Sequence, residues 1–209
     1  MNILFNRRKM AVVLVSMISV SAIAQQEYTV YNRTLSGGKE KTSVHLNAAP
    51  GDGVAWINNR DLTNGSIEVE IRGKDSFQTS FVGIAFHGAD DSTYEAIYFR
   101  PFNFRSTDPV RKNHAVQYVS SPGFDWPVLR SQFPNKYEQP LSPAPDPDDW
   151  FHVRVVLKDK KVMVFINGSQ TPSLVVESLQ TNPGKKIGYW VGNNSSGDWK
   201  NIKIVTAGN

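Results

Sequence analysis

The stretch FHVRVVLKDKKVMVFING, residues 151–168, alternates apolar and polar side chains in two runs separated by a short charged segment. Because successive side chains of a β-strand point to opposite faces, this alternation places the apolar residues of each run on one face. These apolar residues are Val153, Val155 and Leu157 in the first run, and Val162, Val164 and Ile166 in the second. The charged segment, residues 158–161, supplies a turn, and Asn167-Gly168 ends the second run. The stretch therefore predicts an antiparallel β-hairpin with one apolar face.

The same period of two continues over most of the chain, from Val44 to Val205. It is clear in SIEVEIRG (residues 66–73) and TSFVGIAFHG (79–88), and two further strands are predicted in KIGYWVG (186–192) and WKNIKIV (199–205). No window of a dozen residues shows an apolar stripe at helical spacing, so the chain is predicted to be all-β. Because each strand has one apolar face that needs a cover, we predict a two-sheet antiparallel sandwich.

The N-terminal residues have the pattern of a targeting segment. Arg7, Arg8 and Lys9 precede the apolar run Met10–Val20, and Ala22-Ile23-Ala24 offers a small-x-small cleavage site. The run is short for a membrane span, so residues 1–24 are predicted to be a cleaved secretory signal; a retained N-terminal anchor is the alternative. Residues 25–209 then form one domain, which is expected to be secreted or periplasmic and free of the membrane after cleavage.

Composition narrows the functional classes. The formal net charge of the whole chain is +4, and the three cations of the predicted signal carry most of it, so a nucleic-acid partner is not expected. The chain has no cysteine, which excludes disulfides and thiolate metal sites. Residues 133–149 contain five prolines and are predicted to form a long loop lying over the sandwich.

The order of these segments resembles the concanavalin A-like lectin/glucanase superfamily, whose fold is a jelly-roll sandwich. The resemblance covers Gly53 to Val205, and its most specific parts are the hairpin Trp150–Gly168 and the closing motif Ile187–Ile204. Within the superfamily the chain is most similar to the laminin-G-like and 3-keto-disaccharide hydrolase branch. The resemblance implies a concave sheet face that receives a saccharide, with catalysis in some members only.

One family motif is missing. The E-x-D-x-x-E strand of laminarinase-like glucanases does not occur in the sequence. That strand carries both carboxylates of the retaining mechanism, so an enzyme of that kind is not expected.

The segment YEAIYFRPFNF, residues 94–104, is the centre of the predicted binding site. Period two places Tyr94, Ala96, Tyr98 and Arg100 on one face, and Pro101 makes the chain leave the sheet after Arg100. Aromatic faces can stack on a pyranose, and Arg and Asn can donate hydrogen bonds to its hydroxyls. The predicted ligand-binding residues are Glu95, Tyr98, Arg100, Asn103, Gln117, Tyr118 and Trp126. The alternative is that the rings belong to the core and Arg100 is a solvated strand end.

The next segment, residues 111–130, contributes further candidates. His114 is expected on a strand, alternating with its neighbours up to Val119, and residues 124–127 are expected to expose Trp126 in a loop. Trp126 is then either a stacking platform or a ring folded back onto the sandwich.

Three residues are candidates for catalysis. Glu68 and Glu70 are two apart on one strand, which places both carboxylates on one face, and His114 could act as a general base. If the polar face is the concave one, both glutamates could converge with His87, Glu95 and Arg100. The alternative is a solvent-facing strand and a histidine without a catalytic role.

No cofactor is assigned, but calcium is a candidate. Its oxygen ligands would come from Asp90-Asp91 and from Asn193, Asn194 and Asp198, although such residues are common in turns. The four histidines have no close spacing, so zinc is not expected.

Three functions remain open at this stage. The sequence favours an exported protein that binds a saccharide ligand, with hydrolysis left open. One alternative is a glycoside hydrolase of the 3-keto-disaccharide type, and another is a non-catalytic laminin-G-like protein-interaction module. Fold analogy supports all three, so the choice depends on the site.

Overall fold

The computed structural model describes residues 27–38, 40 and 42–207. The predicted secretory signal, residues 1–24, lies outside the described residues. Across those that are described, no helix has both the length and the hydropathy of a membrane span.

Fourteen strands and three short helices make up the described structure. The strands are β1 (Tyr28–Tyr31), β2 (Leu35–Gly37), β3 (Val44–Leu46), β4 (Gly53–Asp61), β5 (Gly65–Arg72), β6 (Val82–Gly88), β7 (Tyr94–Phe99), β8 (Val116–Ser121), β9 (Glu138–Gln139), β10 (Phe151–Lys158), β11 (Lys161–Ile166), β12 (Leu174–Glu177), β13 (Lys186–Val191) and β14 (Gly197–Thr206). The helices are α1 (Pro101–Phe104), α2 (Pro109–Asn113) and α3 (Trp126–Gln132).

The strands form two antiparallel sheets of seven. The first sheet has the order β1-β4-β13-β6-β7-β8-β9, and the second has the order β12-β11-β10-β5-β14-β3-β2. The predicted all-β, two-sheet antiparallel sandwich is confirmed. The chain passes from the first sheet to the second between β13 and β14, the two strands predicted at the C-terminal end.

The hairpin predicted from residues 151–168 is β10 and β11, paired with Val155 opposite Val164. The six apolar side chains predicted to share one face point into the space between the sheets and are buried. The turn residues Asp159 and Lys160 both have positive φ, 49° and 66°, which is the backbone of a type I′ turn.

The core lies between the two sheets. Tyr189 of the first sheet stacks on Trp199 of the second with ring centroids 5.2 Å apart, and Phe99 meets Phe151 at 5.1 Å. The Trp199 indole donates to the carbonyl oxygen of Gly83, so a hydrogen bond also crosses the core. These contacts identify the inner face of each sheet.

The outer face of the first sheet is covered as well. Every residue of β6 and β7 is buried, including those that point away from the core. Part of the cover comes from the connections that contain α1, α2 and α3. Strands buried on both faces lose the clean apolar–polar alternation of a solvent-facing sheet.

Two local predictions were wrong. Residues 124–127 were expected in a loop, but α3 begins at Trp126, because the Asp125 side chain accepts a hydrogen bond from the Val128 amide and Pro127 fits the first turn. His114 was expected on a strand, but it caps the C-terminus of α2, and β8 begins two residues later.

The proline-rich segment, residues 133–149, is a long connection that contains only the two-residue strand β9. It packs on the sandwich through Tyr137, which stacks on Tyr118 with centroids 5.4 Å apart, and through buried Leu141.

Candidate functional site

Gly83 is the centre of the outer face of the first sheet. Strand pairing places it beside Tyr98 on β7 and beside Trp190 on β13. A Cβ at this position would lie 2.1 Å from the Ile97 carbonyl oxygen and 2.6 Å from the Tyr98 Cα, so only glycine fits. Because Gly83 places no side chain between them, the Tyr98 and Trp190 rings lie with their centroids 4.9 Å apart and their planes inclined at 34°.

These two rings form the floor of a hollow with a volume of about 140 Å³. Its aromatic lining consists of Phe81, Tyr94, Tyr98, Phe124, Trp126 and Trp190. Its polar lining consists of Asp52, Ser121, Asp125 and Asn193. The hollow therefore combines flat apolar surfaces with a few oxygen and amide groups, which is the usual composition of a small-ligand site.

One wall is built by loops that Arg33 holds together. Its guanidinium donates to the carbonyl oxygens of Gly51 and Gly192, which belong to the two loops that carry Asp52 and Asn193. The Asn193 side-chain oxygen also accepts a hydrogen bond of 2.8 Å from the Gly51 amide. Asp52 and Asn193 are thus fixed side by side.

A hydrogen-bond chain connects the floor with this wall. The Trp190 indole donates to the Tyr94 hydroxyl at 3.1 Å, and that hydroxyl donates to Asp52 Oδ2 over a long 3.5 Å. Burial raises the pKa of Tyr94 to about 12, so the hydroxyl keeps its proton. The Asp52 carboxylate is accessible, but the surrounding protein removes part of its hydration and raises its pKa.

The opposite wall carries Trp126, whose side chain is 46% exposed. The Arg130 guanidinium lies 4.8 Å from the Trp126 ring centroid and pairs with Glu138 through two hydrogen bonds of 2.9 and 2.7 Å. Backbone hydrogen bonds between Ser120 and Phe124 close the turn that leads into this wall. Trp126 is therefore held in place although it is exposed.

Arg100 does not line the hollow, although the sequence placed it there. It is buried behind the floor, where it donates to the Tyr98 hydroxyl at 2.6 Å and to the His114 carbonyl oxygen at 3.0 Å. Asn103 also donates to the His114 carbonyl oxygen and accepts from Arg111. Arg100 therefore supports the floor through Tyr98, and neither Arg100 nor Asn103 is part of the lining of the hollow.

Gln117 is buried as well. Its amide nitrogen donates to the backbone carbonyls of Tyr118 and Tyr137, while its side-chain oxygen is buried with no hydrogen-bond partner in the described part of the chain. It does not line the hollow.

Glu95 and Tyr118 lie on the inner side of the first sheet, away from the hollow. The Tyr118 hydroxyl donates to Glu95 and accepts from the Leu179 amide, while His87 contacts Glu95 through Nδ1 and the Thr63 carbonyl oxygen through Nε2. This buried network, His87–Glu95–Tyr118, ties three neighbouring strands to the segment after β12.

The predicted catalytic residues do not come together. Glu68 and Glu70 lie on the outward face of β5 in the second sheet, where they contact His152 at 3.7 Å and Lys200 at 3.8 Å. His114 lies at the end of α2, with Nε2 3.3 Å from Glu138, and partial burial lowers its pKa. The convergence suggested for the polar face does not occur, because the two sheets separate these groups.

The three aspartates among the predicted calcium ligands are engaged elsewhere. Asp90 accepts hydrogen bonds from Ser92 and Thr93 in its own turn, Asp91 accepts from the Trp56 indole, and Asp198 contacts His45 and Arg72. Within the described ranges, no group of three or more His, Asp or Glu side chains could hold a metal ion.

Comparison with known proteins identifies the fold. No protein-family model and no curated protein matches the chain, whereas solved structures do. The carbohydrate binding module CBM66 from Bacillus subtilis is 12% identical, with a TM-score of 0.59, over 86% of this chain and 94% of that one. A protein of unknown function with a galectin-like fold, also from Bacillus subtilis, is 14% identical, with a TM-score of 0.58, over 88% of this chain and 92% of that one.

A third similar structure is the exoplasmic/lumenal domain of VIP36 bound to Ca²⁺ and Man3GlcNAc. It is 12% identical, with a TM-score of 0.56, and the match covers 89% of this chain and 87% of that one. At these identities the likeness establishes the fold alone. The predicted concanavalin A-like jelly-roll fold is therefore confirmed.

Sequence reasoning missed several lining residues. Trp190 was assigned to a strand without a role, Asp52 and Phe81 were not considered as ligand contacts, and Asn193 was considered only as a calcium ligand. Gly83, inside the apolar strand FVGIAF, was an available signal, because a glycine within a strand often marks a close approach. The two loop residues gave no comparable signal, since their neighbour in space, Arg33, is far away in the sequence.

Proposed function

We propose that the protein binds a saccharide in the hollow on the outer face of the first sheet. The observation that carries the proposal is the convergence of six aromatic side chains with Asp52, Asn193 and two further polar residues in one small hollow. Rings supply apolar faces for the C–H side of a sugar, while carboxylate and amide groups pair with its hydroxyls. Pockets for drug-sized ligands measure roughly 300–1,000 Å³. At about 140 Å³, this hollow suits a single sugar ring.

The comparisons support this proposal without deciding it. CBM66 is named as a carbohydrate binding module, and the VIP36 domain was crystallised with Man3GlcNAc. Both share the sandwich with this chain at low identity, and a fold hosts many functions. The lining of the hollow is therefore the main support for saccharide binding.

We also propose that the protein is exported. The support is the sequence pattern of residues 1–24, a basic segment followed by a short apolar run and Ala-x-Ala. Expression of the full chain in a bacterium, followed by fractionation and intact mass measurement, is expected to yield a product that begins near Gln25 outside the cytoplasm. A full-length product in the cytoplasm would contradict export.

The binding proposal is tested with a glycan array, followed by calorimetric titration of the strongest ligand. We expect Trp126→Ala to weaken binding by about tenfold or more, which corresponds to about 1.4 kcal/mol. Trp126 is already exposed, so its loss is not expected to unfold the protein. The matched control is Trp150→Ala, which removes a tryptophan that packs against Arg72 and Lys200 of the second sheet.

Two results would contradict the binding proposal. One is the absence of any saccharide ligand on the array. The other is an equal loss of affinity in both tryptophan variants, because that would place the ligand away from the hollow.

Glycoside hydrolysis is a second candidate, and one observation favours it. Two carboxylates line the hollow, Asp52 and Asp125, and the raised pKa of Asp52 is in the direction that a general acid requires. Incubation of the array ligand, and of its 3-keto form, with the protein would release product if the hollow is catalytic. Hydrolysis that survives both Asp52→Asn and Asp125→Asn would exclude these two carboxylates.

A further inference from the structure

The charged side chains that line the hollow are all acidic. They are Asp52 and Asp125, and no lysine or arginine is part of the lining. Neither aspartate takes part in the ion pairs formed by the described residues. The hollow therefore presents negative charge that has no direct partner.

Three arginines lie nearby, but each is committed to other groups. The Arg33 guanidinium donates to backbone carbonyls, Arg100 donates to Tyr98 and His114 behind the floor, and Arg130 pairs with Glu138. Their charges reduce the negative potential of the hollow, but none of the three is part of its lining. The charged groups that a ligand in the hollow would touch are therefore the two carboxylates.

Each carboxylate also keeps hydrogen-bond capacity. Asp52 accepts one bond, the 3.5 Å contact from Tyr94, through Oδ2. Asp125 caps α3 through Oδ1, which accepts from the Val128 amide. Since an ionised carboxylate can accept about four hydrogen bonds, both aspartates have room for a donor from the ligand.

We propose that the hollow selects a sugar that carries a protonated amine over the corresponding neutral and acidic sugars. This inference rests on the proposed saccharide-binding function and names the class of ligand for the same site. An ammonium group has three donors and no acceptor, which matches two carboxylates with spare acceptor capacity. The aromatic rings around it add an attraction for cations. A uronic acid would meet like charge and is disfavoured.

The test compares matched sugars on one array. Each set contains the same hexose with a hydroxyl, a free amine, an N-acetylated amine or a C6 carboxylate, and dissociation constants are measured for the best set. We expect the free amine to bind about tenfold more tightly than its N-acetylated form, and the carboxylate form to bind most weakly. Asp52→Asn is expected to reduce the amine preference to about threefold or less.

The matched control is Asp159→Asn, which removes one negative charge in the turn between β10 and β11, where asparagine tolerates the positive φ. This variant is expected to keep the full amine preference. Equal affinity for the amine and the N-acetylated form in every set would overturn the inference and leave saccharide binding intact. Binding of none of the sugars would overturn both proposals.

Discussion

Gly83 shows how one residue shapes the candidate site. It is the position across which Tyr98 and Trp190 meet, and an added Cβ would collide with backbone atoms rather than with a flexible side chain. We therefore expect Gly83→Ala to lower the free energy of unfolding by about 1–3 kcal/mol, the usual cost of overpacking. Urea denaturation measures the change.

Gly37→Ala is the matched control, because a methyl group added at Gly37 would have no atom within 4 Å. Its stability is expected to stay close to that of the wild type. If the two alanine variants are equally stable, the close approach at Gly83 does not constrain the floor.

The buried His87–Glu95–Tyr118 network leads to a pH-dependent prediction. Burial opposes the charged form of His87, but hydrogen bonds to Glu95 and to the Thr63 carbonyl oxygen outweigh it and raise the His87 pKa. When folding raises the pKa of a group, its protonation stabilises the folded protein. The full contribution is present at pH values below the pKa in the unfolded chain, about 6.5 for histidine, and it disappears as the pH rises through the pKa in the folded protein.

Glu95→Gln isolates this contribution, because a glutamine can still hydrogen-bond to neutral His87 and to Tyr118. We expect the variant to be less stable than the wild type near pH 6, and the difference to shrink as the pH rises. Urea midpoints measured between about pH 5.5 and 9 provide the comparison. A difference that is constant over this range would show that His87 carries no charge in the folded protein.

At the level of elements, the hairpin β10–β11 stores strain in its turn. Lys160 has a φ of 66°, and a non-glycine residue in this region costs the folded state roughly 1–2 kcal/mol. A glycine would avoid this cost, but it would raise the entropy of the unfolded chain, which lowers the stability by about 0.4–1 kcal/mol. The first effect is larger, so Lys160→Gly is expected to stabilise the protein by about 0.5–1 kcal/mol.

Gly168 provides the opposite case at the end of the same hairpin. Its φ is 73° and no atom lies near its missing side chain, so Gly168→Ala tests the backbone alone and is expected to destabilise by about 1 kcal/mol. Melting temperatures that move in the same direction for both variants would contradict this account of the turns.

Helix α3 shows which element could have been predicted and was not. Asp125, Trp126 and Pro127 have the order of an N-cap followed by the first helical turn, a recognised start signal. Reading the proline only as a loop residue placed Trp126 correctly at an exposed position but on the wrong element. The same order precedes α2, where Asp108 caps the helix and Pro109 follows it, so local chemistry could also have placed His114 at the end of a helix.

For the whole molecule, periodicity predicted the sandwich because a strand with one apolar face must be covered. Periodicity could not predict which of the two sheets would be covered on its outer face as well as on its inner face. Both sheets have polar and aromatic residues at outward positions, and loops and helices enclose those around Tyr98 and Trp190 into a hollow. Arg100 shares their face in the sequence pattern, but the chain turns away at Pro101 and buries it. The site thus depends on contacts such as Arg33 with Gly192, which no short stretch encodes.

The central claim is that a saccharide binds in the hollow between Trp126 and Trp190. A crystal structure of the protein with the strongest ligand from the glycan array tests it most directly. The account predicts a sugar ring that contacts both tryptophans and donates a hydrogen bond to Asp52. A sugar bound on the second sheet, beside Glu68 and Glu70, with no ligand in the hollow, would contradict it.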